Sequence, residues 1–542
     1  MQHTMQALPL TVAQLFRRAK RPFGQKRIYS AEPGALTVTT YTAWAERTER
    51  LASALRGMGL EDGARVGTFA SSTVRHLEIS FAAPLAGYVF HPLNVRLPED
   101  QLCYVVNNAA DEVIFVDSAL LPRLVPLLGS LKSVRRLVVI NETGASPAAE
   151  SLPPGIGLSD YEELLAAAPA SPYQVEDEMA AASVCYTSGT TGNPKGVVYS
   201  QRSLWLHAMS LLQADTAAIS ESDTVLPLVP FFHANAWDMG YAAVAAGADL
   251  VLPGADLSGP AIASLMERCR VTCATAVPAL WSRILPELQG RDTSSLRMLC
   301  SGGSAVPTRL TQLCRELTGS PIMQVWGMTE TGAYASMARR RPHIDPTDSA
   351  ALAAVASSQG VPVAGVEFRI VQGETLQELP WDGESAGELQ CRGPWVTRCY
   401  HGEQEPSASV TADGWFRTGD AASIDHEGYI RLRDRLKDLI KSGGEWIPSV
   451  ELEAALESHP GVESAAVIGV PSERWDERPI AIITLVDGCS IAPDELLDWL
   501  RPRIVKFWLP DEIHVLLELP MTSVGKVDKK ALRHSFALET RP

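Results

Sequence analysis

The sequence predicts an α/β protein in two parts. A large N-terminal domain has parallel and mixed sheets flanked by helices and ends in a small β unit; a small α+β domain follows. Three observations predict it. Short apolar strands alternate with amphipathic helices from the start to about Ile344, the pattern of parallel sheets with crossover helices. Glycine clusters (Gly189/Gly192, Gly302/Gly303, Gly327) fall where those strands should end, the edge at which open α/β sheets bind ligands. After Gly360 the texture changes to short alternating stretches.

The elements follow in order. Val12, Leu15 and Phe16 share one helical face; Trp44, Leu51, Leu55 and Met58 continue that period in a second helix ending at Gly59. Ala64–Ala70, Glu112–Asp117 and Arg135–Ile140 read as strands, and the segments near 145–155 and 166–172 as loops. Val366–Val371 and Gly387–Gly393 suggest a small antiparallel unit. A charged run, Arg431–Gly444, leads into a tail of about a hundred residues. That tail carries a helix with Leu452, Ala455 and Leu456, two strands (AAVIGV and PIAIITLV) and a helix with Leu496, Leu497 and Leu500. It is long enough for a domain of its own.

Composition narrows the function. The chain has 542 residues, 46% hydrophobic and 20% charged, which is ordinary for a folded protein. Lys and Arg number 47 against 63 Asp and Glu, a formal charge of −16 that argues against a phosphate-tracking nucleic-acid binder. Nine scattered cysteines, with no His or second Cys pair near Cys269 and Cys273 to complete a zinc site, read as reduced thiols of a reducing compartment. The first 20 residues lack the apolar core of a signal peptide, and the longest apolar stretch, Tyr241–Pro253, falls short of a membrane span. A cytoplasmic protein without integral membrane association is expected.

The most informative segment is YTSGTTGNPKG, Tyr186–Gly196, which follows a strand. Its glycines (Gly189, Gly192, Gly196) expose backbone N–H groups. Thr187, Ser188, Thr190 and Thr191 add hydroxyls, and Lys195 adds a point charge. Together these cradle a polyphosphate. It is not a P-loop of the NTPase kind, which needs Gly before the Lys and Ser/Thr after it; here Pro194 precedes and Gly196 follows.

This string resembles the phosphate signature of the adenylate-forming superfamily: acyl-CoA synthetases, luciferases and peptide-synthetase adenylation domains. Six further signatures stand in that family's order: PFFHANAW, SGGSAVP, VWGMTE, GWFRTGD, DRLKDLIKSGGEWIP and PMTSVGK. HANAW and KSGGEWIPS look most like medium- and long-chain fatty acyl-CoA synthetases. The resemblance covers nearly the whole chain and implies a two-step reaction. ATP and a carboxylate give acyl-AMP and pyrophosphate; CoA thiol then gives acyl-CoA and AMP.

It also implies roles. Glu330 and Thr187 match the Mg²⁺ site, which suits an ion that takes one or two protein oxygens plus phosphate oxygens. Asp420 resembles the carboxylate that accepts the ribose hydroxyls, with Arg435 as second ribose contact. Gly302, Gly303 and Ser304 resemble the adenine and acyl-side loop. Gln324, Val325, Trp326, Gly327, Met328 and Thr329 border nucleotide and acid, and Trp326 replaces the tyrosine common at its position. His207, in the helix after the phosphate loop, is expected near the phosphates. His233, Ala234 and Trp237 match the acid-binding stretch, Trp237 as the indole gating an acyl tunnel. A His at 233, where amino-acid-activating domains place an Asp, argues against an amino-acid substrate.

Lys526 matches the C-terminal lysine that bridges carboxylate and α-phosphate. Lys437 matches the hinge about which a mobile C-terminal domain rotates, and Lys441, Gly443, Gly444 and Trp446 match the loop lining the pantetheine tunnel. The implied boundaries are 1–434 for the ATP- and acid-binding domain and 435–542 for the mobile domain. Long-chain relatives imply a homodimer. The alternatives inside the superfamily are a CoA ligase for a short, aryl or sulfur-containing acid such as methylthiopropionate, and a CoA-independent acyl-AMP ligase. The latter typically carries a hinge-impeding insertion that this sequence lacks.

Overall fold

A computed structural model describes residues 4–141, 152–171, 175–187, 193–319, 321–403, 407–472, 474–486, 488–521 and 527–539. Among them lie four sheets. The first has, in spatial order, Gly157–Asp160, Arg136–Ile140, Asp111–Asp117, Arg65–Phe69, Val89–Pro92, Ala181–Tyr186 and Gly196–Ser200. It is parallel except for its last pair, where Gly196–Ser200 returns antiparallel to Ala181–Tyr186 across the phosphate segment.

The second sheet runs Val361–Pro362, Ser336–Met337, Met323–Trp326, Met298–Ser301, Cys273–Ala276, Thr224–Pro227, Asp249–Leu252, Arg27–Glu32 and Ala35–Thr40. Its central pairs are parallel, and both ends close with antiparallel strands. The strands CATA and MLCS are buried throughout, as expected of a parallel sheet covered on both faces. The largest apolar cluster packs the helix Val12–Lys20, with Val12, Leu15 and Phe16 inward, onto Trp44 and Phe81. Trp44 meets Phe81 edge to face at 5.0 Å.

The third sheet is antiparallel: Gln377–Glu378, Glu367–Gln372, Gly387–Arg392, Phe416–Ile424 and Ile430–Arg435. The fourth holds Glu445–Ile447, Ile440–Ser442, Asp476–Leu485 and Val462–Ser472, with Glu512–Val515 parallel to Asp476–Leu485. Sheet membership therefore changes between Arg435 and Ile440. Arg435, expected in the small domain, stands on the larger domain's sheet, because its strand pairs Asp420 with Arg435. The segment expected to be a loop from 166 begins in the last residues of the helix Tyr161–Ala167, which Asp160 caps through two backbone N–H groups. Among the described residues no helix is long and apolar enough to cross a membrane. None of the nine cysteines is in a disulfide, and six are buried.

Candidate active site

The ends of the buried strands deliver the site. Thr187 directly follows Ala181–Tyr186, and its N–H donates to the Lys195 carbonyl at 2.9 Å. The Lys195 N–H returns a bond to Thr187 Oγ1 at 3.3 Å, closing the base of the loop. Ser188, Gly189, Thr190, Thr191 and Gly192 lie outside the described residues. The Lys195 ammonium stands 4.4 Å over the Tyr400 ring and 3.5 Å from Glu403. Tyr400 Oη donates to Glu330 Oε1 at 2.6 Å. Burial first, and the Glu330 charge second, push the Tyr400 phenol up, so it stays a proton donor at neutral pH.

Lys195, Tyr400 and Glu330 thus form one chain from the phosphate loop to the carboxylate expected to hold a metal. The donors offered, a carboxylate and the Thr187 hydroxyl, are hard oxygens of the kind Mg²⁺ takes. Among the described residues no three His, Cys, Asp or Glu side chains converge as in a dedicated metal cage. A cation shared with phosphate oxygens requires none.

The expected ribose side is built from two sheets. Asp420 is 2% exposed and is held at both oxygens. Arg435 Nε lies 2.6 Å from Oδ1, and Trp326 Nε1 donates to Oδ2 at 3.1 Å. Trp326 ends the strand Met323–Trp326 and packs edge-on against Phe368 at 5.5 Å. Gln324 is buried, and its Oε1 accepts from the Val306 N–H, so it fixes the neighbouring loop rather than opening toward a ligand. Val325 is likewise buried. Gly302 has a steric reason: a Cβ there would lie 2.7 Å from Val325 Cγ2 and 3.3 Å from the Trp237 ring. Gly303, at φ +89°, and Ser304 are exposed on the same loop. Gly327, Met328 and Thr329 are partly exposed; the Thr329 carbonyl accepts from Tyr199 Oη at 2.6 Å.

The acid side contains a feature with no counterpart in the sequence pattern. Ala234, Asn235, Ala236, Trp237 and Asp238 all have φ between +43° and +57°, a left-handed turn without a glycine. Each such residue costs about 1–2 kcal/mol relative to the right-handed form. Buried polar anchors hold it. Ser183 Oγ donates to Asn235 Oδ1 at 2.7 Å, and His207 Nδ1 lies 2.7 Å from Asp238 Oδ2. Burial pushes the Asp238 carboxyl up, and the His207 contact offsets part of this.

His207, expected near the phosphates, has a structural partner. It is 1% exposed on Gln201–Leu211, and its Nδ1 supports the turn through Asp238. Trp237, 8% exposed, meets Tyr334 edge to face at 5.6 Å. His233 is partly exposed and shares a cleft with Thr187, Phe232, Tyr186, Asn94 and His91.

In the small domain, Lys441 and Trp446 face each other across the hairpin Ile440–Ser442/Glu445–Ile447. Its two-residue turn is Gly443-Gly444, at φ +58° and +87°. Positive φ at both positions is what such a hairpin turn demands, so these glycines have a local structural reason beside the expected tunnel role. Lys441 Nζ lies 3.5 Å from Asp476, and Trp446 is 55% exposed.

Lys437 sits in a tight turn in which the Arg435 carbonyl accepts from the N–H groups of Asp438 and Leu439. Across this turn Asp434 Oδ2 accepts from the Ser449 N–H and Oγ at 2.5 and 2.6 Å, and Arg433 lies 3.2 Å from Glu451. Lys526 lies outside the described residues. Its flanks are drawn together by the Met521–Val527 bridge, and Lys529 donates to Ser449 Oγ at 2.6 Å. Tyr400, Glu403, Asp238, Tyr334 and Ser449 escaped sequence reasoning; none belongs to a local code, and only the buried contacts single them out.

Comparison with known proteins matches this architecture. A family model described as "AMP-binding enzyme" matches residues 16–401, and "AMP-binding enzyme C-terminal domain" matches 451–526. The chain is 39% identical over 541 residues to a 3-methylmercaptopropionyl-CoA ligase of Ruegeria lacuscaerulensis, covering 98% of each. It is 40% identical over 539 residues to a long-chain-fatty-acid–CoA ligase of Thermus thermophilus, covering 98% of this chain and 97% of the other. The crystal structure of ATP-bound MatB from Rhodopseudomonas palustris superposes with a TM-score of 0.83 at 25% identity, covering 98% and 100%.

Proposed function

The chain belongs to the AMP-binding enzyme family, and from that premise we propose that it activates a medium- or long-chain carboxylic acid as its acyl-AMP and transfers the acyl group to CoA. It is an acid–thiol ligase using ATP and CoA. In the first step a carboxylate oxygen attacks the α-phosphorus, the bond to the β-phosphate oxygen breaks, and pyrophosphate leaves. In the second the CoA sulfur attacks the acyl carbon, AMP leaves, and the thiol proton is released.

Catalysis of attack at phosphorus is mainly positioning and charge stabilisation. Lys195, beside Tyr400 and Glu403, takes the β- and γ-phosphates. Asp420 and Arg435 take the ribose. Mg²⁺, when bound between Glu330, Thr187 and the phosphates, supplies neutralising charge. Lys526 bridges carboxylate and α-phosphate as they react. The small domain then turns about Lys437 and presents Lys441, Gly443, Gly444 and Trp446 to the pantetheine arm. In the arrangement described here Trp446 is mostly exposed and Asp434 is latched to Ser449, which supports reading this arrangement as the one preceding that turn.

The observation that carries the acyl-chain reading is Trp237, a buried indole on an anchored left-handed turn with one edge close to Gly302, read here as the gate of an apolar path. A second reading, a short sulfur-containing acid, is favoured by the 39% identity to the 3-methylmercaptopropionyl-CoA ligase. Pyrophosphate release measured from acetate to palmitate, with cinnamate and 3-methylmercaptopropionate, with and without CoA, separates them. The highest kcat/KM at octanoate or longer supports the proposal. A maximum at 3-methylmercaptopropionate supports the alternative, and formation of ADP contradicts both.

A further inference from the structure

We propose that Trp326 is a positioning residue for nucleoside recognition: its indole N–H locks the Asp420 carboxylate in the orientation that reads the ribose hydroxyls. This rests on reading Asp420 as the ribose contact. Trp326 ends a strand of one sheet, Asp420 lies in the middle of a strand of another, and the 3.1 Å bond joins the two.

The geometry commits both partners. Asp420 is 2% exposed, so its charge must be compensated by fixed donors. Arg435 supplies one at Oδ1, 2.6 Å away, from the neighbouring strand. At Oδ2 the indole N–H is the matching donor. The ring cannot easily turn away, because it is 7% exposed and packed edge-on against Phe368. With Nε1 on one oxygen and Nε on the other, the carboxylate plane is fixed. A carboxylate oxygen can accept more than one hydrogen bond, and a ribose diol can use both oxygens at once only in that plane. A ring without an N–H would remove the 3.1 Å contact at Oδ2 and loosen the hold on the carboxylate plane. Trp in this place therefore does more than offer a face to the adenine.

The test compares kcat/KM for ATP, 2′-deoxy-ATP and 3′-deoxy-ATP in the wild type, Trp326→Phe and Asp420→Asn, with circular dichroism as a check on the fold. Preference for ATP over the deoxy-nucleotides should fall about tenfold in Trp326→Phe, the size of a lost hydrogen bond to a charged group. The loss should appear in KM for ATP rather than in kcat. Benzothienylalanine at 326, with the shape of tryptophan and no N–H, should repeat the result and replaces Phe if that variant does not fold. If Asp420→Asn erases the preference while the Trp326 variants weaken all three nucleotides equally, Trp326 is only a packing or stacking surface and this proposal falls alone. If Asp420→Asn leaves the preference intact, the ribose reading itself falls and takes this proposal with it.

Discussion

Asp420 and Glu330, in the large domain, are 2% and 5% exposed, and each is held by named donors: Arg435 and Trp326 for one, Tyr400 for the other. Lys441, Gly444 and Trp446, in the small domain, stand exposed on a hairpin, and a Cβ at Gly444 would find nothing within 4 Å. The two regions serve one reaction under different demands. Groups proposed to hold ATP gain from burial and fixed partners, which raise the value of each charge and spare reorganisation. Groups proposed to act only in the CoA step gain from being free to arrive and leave, which fits residues exposed on a hairpin of the small domain.

That contrast orders the expected effects of mutation. Glu330→Gln removes the charge at the end of the Lys195–Tyr400 chain. It should lower acyl-AMP formation on the order of 10²–10³ and leave conversion of supplied acyl-AMP to thioester within a few-fold. Pyrophosphate release and thioester assays measure the two separately, and equal losses would mean that the role of Glu330 is not confined to the first step. Trp237→Ala should change the acyl-chain profile and KM for the acid about tenfold with little change in KM for ATP, since the ring sits on the turn proposed to face the acid and packs against Tyr334. It should also destabilise the fold by about 3 kcal/mol, because the ring is buried. A selective rise in KM for ATP would contradict a gate.

Ser449→Ala removes one of the two Ser449 donors to Asp434 across the hinge. A net hydrogen bond of about 1 kcal/mol should appear as a slowing of acyl-AMP formation of roughly fivefold. The thioester step should not slow, because turning about Lys437 already separates the pair. A slower thioester step would mean that the contact persists through both. The smallest effect is on stability. Burial pushes the Glu457 carboxyl up to about 7. A raised carboxyl favours the protonated folded state, so stability is fully present below the unfolded pKa near 4.5 and declines as pH rises through about 7. Glu457→Gln should match the wild-type melting temperature near pH 4.5 and exceed it by a growing margin up to about pH 7, then by a constant one.

The strand–helix alternation, the antiparallel unit after Gly360 and the separate tail were legible because each rests on local periodicity. The candidate nucleotide residues stood out because Thr187, Lys195, Glu330 and Asp420 sit in strings whose glycines and hydroxyls have few other uses. Tyr400 was not, since its partner is 70 positions away and nothing in CYHGEQE marks the phenol. The His207–Asp238 pair was not legible for the same reason: a lone helical His gives no sign of which way it turns, and only the fold brings Asp238 under it. The glycines of KSGG suited a close ligand approach, but two positive φ values in a two-residue hairpin turn require them without any ligand. Gly444 is consequently a poor probe of the second step, and Trp446→Ala is the cleaner one.

The division of labour between a fixed nucleotide floor and a turning small domain is tested by Lys526→Ala assayed one half-reaction at a time under single-turnover conditions. Acyl-AMP formation should fall on the order of 10²–10³, the usual loss for a charge-stabilising group. The same variant, given pre-made acyl-AMP and CoA, should form acyl-CoA at nearly the wild-type rate. If both steps slow equally while circular dichroism shows an intact fold, the two steps do not use different faces of the small domain.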